Sequence, residues 1–209
     1  MEQDPLLRKS AILSLSFVGL LWSIKLLEWL LDWSFVTLGV YPLSPQGLVG
    51  VLSGPLIHGS FTHIVANTFG VLILGTALLY GYPRSRWWVL ATIWLLSGIG
   101  VWLFGRPSFH IGASGLTHGL FFFLLVVSML RRDRRSIALM MLASLLFGGM
   151  FWGVLPSEES VSFEYHLFGG TAGVLAALLY RRWDPKPAEK HYDWEDDDDN
   201  SPLDEPPDR

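Results

Sequence analysis

The chain has no cysteine, and charge is scarce: 16% of its 209 residues are Asp, Glu, Lys or Arg, against roughly 25% in an ordinary soluble domain. The missing cysteines exclude disulfides and thiolate-bound metals. The low charge, beside 51% hydrophobic residues, favours the bilayer over water as the solvent. Basic residues are also absent from particular stretches. Residues 32–63 hold none, and residues 105–112 and 156–162 add only Arg106. After Asp32 the first of these stretches has no charge at all, yet it carries Trp33, Phe35, Tyr41, Leu48, Val49, Val51, Leu52, Leu56 and Ile57. A loop bathed in water would not have that composition. It is read as lying partly in the membrane interface and packed on the rest of the molecule.

What is present is a series of long apolar blocks. Six of them, at residues 10–31, 64–80, 87–104, 113–130, 137–155 and 163–180, reach the roughly 17–25 residues of a spanning helix. They predict an all-α polytopic membrane protein: residues 1–9 as a short N-terminal segment, then a six-helix membrane domain over 10–183. The first block is long and no small-residue cleavage site follows it, so it is read as an uncleaved helix and not as a secretory signal. The net charge of −4 hides a division. Residues 184–209 carry 11 acidic and 3 basic residues, leaving 8 acidic and 12 basic in the rest. That tail, with its WEDDDDN run, has too little apolar surface to fold and is expected to be disordered.

Arg8 and Lys9 precede the first block, Arg84 and Arg86 join the second to the third, Arg131, Arg132, Arg134 and Arg135 join the fourth to the fifth, and Arg181 and Arg182 follow the sixth. With six spans all four groups fall on one side. The positive-inside rule makes that side the cytoplasm and puts both termini there, with the cell membrane as the expected location. Trp87, Trp88 and Trp183 on that side, and Trp29, Trp33 and Trp102 on the other, fit interfacial belts. The second, fourth and sixth blocks then run inward from the outer face. Their first turns hold His63 and Asn67, Ser114 and His118, and His166. Polar groups sharing one shallow depth, in a medium where they are costly, point to a functional site.

Peptide hydrolysis by a serine requires a base within reach of the hydroxyl and donors aimed at the developing oxyanion. Ser114 and His166 supply nucleophile and base. Gly115-xxx-Gly119 and Gly169-xxx-Gly173 have the small-xxx-small spacing that lets helix backbones approach, and His166, Gly169 and Gly173 share one helix face. The Ser114 amide, His63 and Asn67 are the candidate oxyanion donors, the last two spaced four apart on one side of a helix. No carboxylate completes a triad, because Glu164, two residues before His166, points elsewhere on a helix. A dyad remains, its imidazole oriented by packing. His118, one turn on from Ser114, is placed to pack against it.

Three motifs collect these residues: His58-Gly-Ser-Phe-Thr-His63-Ile-Val-Ala-Asn67, Gly112-Ala113-Ser114-Gly115, and His166-Leu-Phe-Gly169-Gly-Thr-Ala-Gly173. In this order, each at the outer end of an even-numbered block, they resemble the signature motifs of the rhomboid family of intramembrane serine proteases, over roughly residues 10–183. The resemblance implies Ser114 as nucleophile, His166 as general base, and His63, Asn67 and the Ser114 amide as the oxyanion site, with His58, His118, Gly112, Gly115, Gly169 and Gly173 supporting them. It also implies a half-embedded first loop, a water-filled cavity opening outward, and substrate access beside the fifth helix. Substrates would be single-span or polytopic membrane proteins met within the lipid bilayer; no cofactor and no nucleic acid are expected. The chain departs from the pattern in three places. The first loop lacks the Trp-Arg pair of many members, Leu79 stands where many carry glutamate, and His118 replaces the aromatic residue that often stacks on the histidine.

Other readings exist for each residue. Ser114 could be a helix-packing serine and His166 a satisfied buried histidine. His63 and Asn67 could instead hold the first loop in place, and His58 reads as structural. His110 and His191 are given no role, and Lys25 and Glu28 pair with each other or reach outward. A zinc site of His58, His63, His118 and His166 lacks an HExxH pattern and nearby carboxylates other than Glu164, so no metal is expected. An α/β-hydrolase elbow needs GxSxG after a strand, whereas Leu116 fills the last position here. A transporter is disfavoured by the lack of an internal repeat. The alternative function is a catalytically silent relative that binds and retains membrane clients; retention of both Ser114 and His166 favours catalysis.

Overall fold

A computed structural model describes residues 4–156 and 161–187; the acidic run at 195–199, expected to be disordered, lies outside them. Among the described residues seven α-helices follow one another: α1 Pro5–Leu30, α2 Pro45–Ser53, α3 Phe61–Gly81, α4 Arg86–Phe104, α5 Ser114–Arg131, α6 Arg134–Phe147 and α7 Phe163–Tyr180. Helix α1 begins at Pro5, five residues before its apolar block, because Asp4 caps it by accepting from the Leu6 N–H and proline suits the first helical position. Helix α6 stops at Phe147, ahead of the expected 155, where Gly148 and Gly149 open a 3₁₀ turn over Gly148–Phe151. Helices α1, α3, α4, α5, and α6 with its turn are long and apolar enough to cross a membrane. Helix α7 matches the 18 residues of α5, but Glu164, His166 and its glycines make it less apolar.

The stretch between α1 and α3 is built rather than loose. Ser44 caps α2 by accepting from the Gly47 N–H, with Pro45 behind it. Val51 of α2 seats against Gly98 of α4, where an added Cβ would meet Val51 at 3.0 Å. Two tryptophans of α4 tie the stretch down, Trp94 donating to the Leu52 carbonyl at 3.2 Å and Trp102 to that of Ser44 at 2.8 Å. At its start, buried Glu28 pairs with Lys25 at 3.1 Å and accepts from the Phe35 N–H at 2.6 Å. The expected Lys25–Glu28 pair thus also anchors the stretch to α1. On the other side Leu43, Leu48, Val49 and Leu52 remain exposed.

Helix α5 is the hub. Leu116, Leu120, Phe123, Leu124 and Val127 are buried against α3, α4 and α7. Its closest neighbour is α7, where Gly115 meets Gly169 and Gly119 meets Gly173: a Cβ on either α7 glycine would overlap an α5 carbonyl oxygen. Small residues at such crossings allow dispersion contacts that lipid would not otherwise yield to.

The arginine-rich connections gather at one end. Arg131, buried at the end of α5, bonds Asp133 and Ser136 at the start of α6 and donates to the Arg181 and Asp184 carbonyls past α7. The Asp184 carboxylate in turn accepts from the Arg84 and Ser85 N–H groups and the Ser85 hydroxyl, at 2.7, 3.3 and 2.6 Å. Asp184 therefore belongs to the packed body, although its composition groups it with the tail. A cluster of buried ions holds only when every member is bonded, and here it locks three helix ends together.

Candidate active site

At the opposite end the backbone of the first connection shapes the turn leading into α5. Val40 and His110 exchange two hydrogen bonds, at 2.9 and 2.8 Å, and the Gly112 N–H donates to the Gly54 carbonyl at 2.9 Å. This route forces Gly112 to φ +106°, a conformation that costs other residues strain. The turn delivers Ser114, half-buried, to the first position of α5, where backbone N–H groups have no intrahelical acceptor.

His63 and Asn67 of α3 stand directly over this turn. A Cβ placed on Gly112 would lie 2.5 Å from His63 Nε2 and 3.6 Å from Asn67 Nδ2. Glycine is thus required twice over, by its φ and by the side chains above it. Ser60 caps α3 by accepting from the His63 N–H at 3.1 Å, fixing the start of the helix that carries both His63 and Asn67. His58 packs edge-on to His63, with centroids 5.0 Å apart, and its Nε2 accepts from the Ala113 N–H at 3.4 Å. Burial first, and then charge on His63, lower the His58 pKa to about 4. It therefore remains a neutral acceptor through the mildly acid range and acts as a brace for the turn.

His166 reaches the same place from α7. Gly169, one turn along, touches the backbone of Gly115, so Ser114 and His166 sit on adjoining turns of two helices in backbone contact. His118 links them: its Nδ1–H donates to the Ser114 carbonyl at 2.8 Å, and its ring stacks on His166 with centroids 3.9 Å apart and planes 6° from parallel. The His166 Nδ1–H donates to the Gly153 carbonyl at 2.9 Å. A neutral imidazole donating from Nδ1 keeps its lone pair on Nε2. The hydrogen bonds at Ser114 and His166 run to Thr117, His118 and Gly153, and none joins the Ser114 hydroxyl to His166.

The structure gathers Ser114, His166, His63, Asn67, His58, His118 and Gly112 at one end of the bundle, with Gly115, Gly169 and Gly173 forming the crossing beneath. Two participants were not foreseen. The Gly153 carbonyl orients the His166 ring, and a backbone acceptor leaves no mark in a sequence. His110, given no role, bonds Ser162 through Nδ1 at 2.6 Å and so ties the turn before α5 to the start of α7. Glu164 does point away from His166, toward Arg106 at 3.2 Å. Among the described residues no group of histidines and carboxylates could hold a metal ion.

A multi-pass membrane protein with serine, histidine and amide donors converging at one end of its bundle is the class that fold and site define. The chain belongs to the rhomboid family: residues 45–183 match the Rhomboid domain. It is 37% identical over 174 residues to an uncharacterized protein of Mycobacterium tuberculosis and to one of Mycobacterium bovis, covering 79% of this chain and 72% of each relative. An uncharacterized protein of Mycobacterium leprae is 35% identical over 175 residues, covering 79% of this chain and 69% of its own.

Proposed function

We propose that this protein is an intramembrane serine protease that hydrolyses peptide bonds in or near transmembrane segments of other membrane proteins. The orientation of His166 carries the reading. Its ring is clamped edge and face, by the Gly153 carbonyl and the His118 ring, on the turn beside Ser114. Those two contacts do the work that a carboxylate does in a triad, holding the tautomer whose Nε2 can accept a proton.

In this reading Ser114 attacks the scissile carbonyl as His166 Nε2 takes the hydroxyl proton. The oxyanion is met by the Ser114 amide, Asn67 Nδ2 and His63, and the acyl-enzyme is then released by water with His166 again as base. Six spans, with α7 as the sixth, place both termini in the cytoplasm and the site near the external face of the cell membrane. The exposed apolar residues between α1 and α3 then rest in the outer interface.

Proteoliposomes holding the protein and a single-span reporter test this. Cleavage is expected in the presence of chelators and lost in His166→Ala. Persistence in that variant would point to the client-binding alternative with a contaminating protease.

Asn67→Ala is expected to lower the cleavage rate by about 10²–10³, the usual loss for one oxyanion donor, with a smaller change in reporter binding. A rate within threefold of wild type would leave Asn67 only its bond to the His63 carbonyl. Activity should also fall as acid protonates His166. The base works only when neutral, so the active form lies on the alkaline side. A profile that shows no acid limb at any pH where the protein stays folded would contradict the assignment.

A further inference from the structure

An apolar cavity of about 330 Å³ lies between α1, α3, α4 and α5, walled by Leu13, Phe17, Val71, Leu90, Leu116 and Leu120. Toward the middle of the bundle it is closed by Phe17 and Trp94, whose rings meet edge to face at 5.9 Å. Toward the arginine-rich end it runs out past Leu79, Trp87 and Ala91, and Trp87 and Ala91 are exposed. Arg86 stands at this mouth. Its guanidinium donates to the Leu79 carbonyl at 3.2 Å and lies 5.4 Å from the Trp87 ring, so both of its neighbours line the cavity.

Two polar atoms here are buried without partners, Arg86 Nε and Ser14 Oγ. Ser14 lines the cavity against Gly75, which is one helical turn, about 6 Å, from Leu79 along α3. The Asp184 carboxylate already accepts from the Arg84 and Ser85 N–H groups ahead of α4, so the positive charge at this mouth comes from side chains. Lys9 stands on α1 one turn from Leu13, adding positive charge at the same end. From mouth to interior the order is cation, lone hydroxyl, hydrocarbon wall.

We propose that this cavity binds one anionic phospholipid, its phosphate at Arg86, its glycerol ester near Ser14 and one acyl chain inside. Charge complementarity selects the headgroup, and the dry wall selects a chain over any soluble anion. The deep end touches Leu116, two residues from Ser114, so the chain supports the helix that carries the candidate nucleophile. The site stands independently of the protease reading.

Delipidated full-length protein in detergent is titrated with phosphatidylglycerol or phosphatidylcholine and followed by native mass spectrometry and thermal melting. One phosphatidylglycerol should bind, about tenfold or more tightly than phosphatidylcholine, and raise the melting temperature. Arg86→Gln should remove the preference for the anionic lipid, while Arg86→Lys keeps most of it. Ala91→Trp, which fills the mouth without touching Arg86, should remove the bound lipid altogether; helical circular dichroism confirms that each variant folds. Equal binding of both lipids by the wild type, or unchanged binding by Ala91→Trp, would overturn the proposal, the first leaving an unselective groove and the second a headgroup bound on the surface only.

Discussion

Replacing Ser114 by alanine is expected to reduce cleavage of a single-span reporter by a factor on the order of 10³ or more, the scale on which loss of a serine nucleophile acts in other hydrolases. Loss of a hydroxyl from a half-buried position at the first turn of α5 removes no bond that holds the fold; the Ser114 carbonyl still receives His118 Nδ1 and the Thr117 hydroxyl. The melting temperature should therefore stay near that of the wild type while the rate collapses. His166→Ala should cost about as much, and the double variant no more than either alone, because the two residues act as one unit. A Ser114→Ala protein that retained a tenth of the wild-type rate would remove the serine from the chemistry.

The second large effect is structural. Gly169→Leu should lower the melting temperature by roughly 10 °C or more and abolish cleavage, as expected for forced overpacking at a backbone contact. The reason is steric: a Cβ on Gly169 would fall on the Gly115 carbonyl oxygen, with the Gly115 Cα only 3.0 Å away. Helices α5 and α7 would have to separate, carrying Ser114 away from His166. Gly19→Ala in α1 is the control, since a Cβ there meets nothing within 4 Å, and alanine suits a helix interior better than glycine. A Gly169→Leu protein that melted within two or three degrees of wild type would mean that the crossing is not what sets the site.

Most of the architecture was legible because a bilayer leaves few options. Apolar blocks of spanning length must be helices, and the α3, α4, α5 and α7 blocks lie within three residues of the observed bounds. Candidate site residues were legible through depth: alternating passes put His63, Asn67, Ser114 and His166 at one end, and the glycine spacing named the two helices that could touch. The clamp on His166 was only half legible. His118 could be placed by its spacing of four from Ser114, but the Gly153 carbonyl carries no side-chain signature, and the glycine pair at 148 and 149 that turns the chain toward it lay inside an apolar block. The stretch between α1 and α3 read as loop because its Gly and Pro content masks α2, although Ser44-Pro45 is a helix-start signal. Asp184 read as tail because it is the first residue of the acidic 184–209 stretch, while its three bonds at the α3–α4 turn come from residues about a hundred positions away.

The account depends on an activated hydroxyl at Ser114, and covalent capture tests that most directly. Folded protein in proteoliposomes is treated with a fluorophosphonate, and the modified peptide is located by mass spectrometry. A single adduct on Ser114, absent from His166→Ala and suppressed by a cleavable reporter, is the expected result. An adduct on another residue, or none while the same preparation still cleaves the reporter, would contradict it.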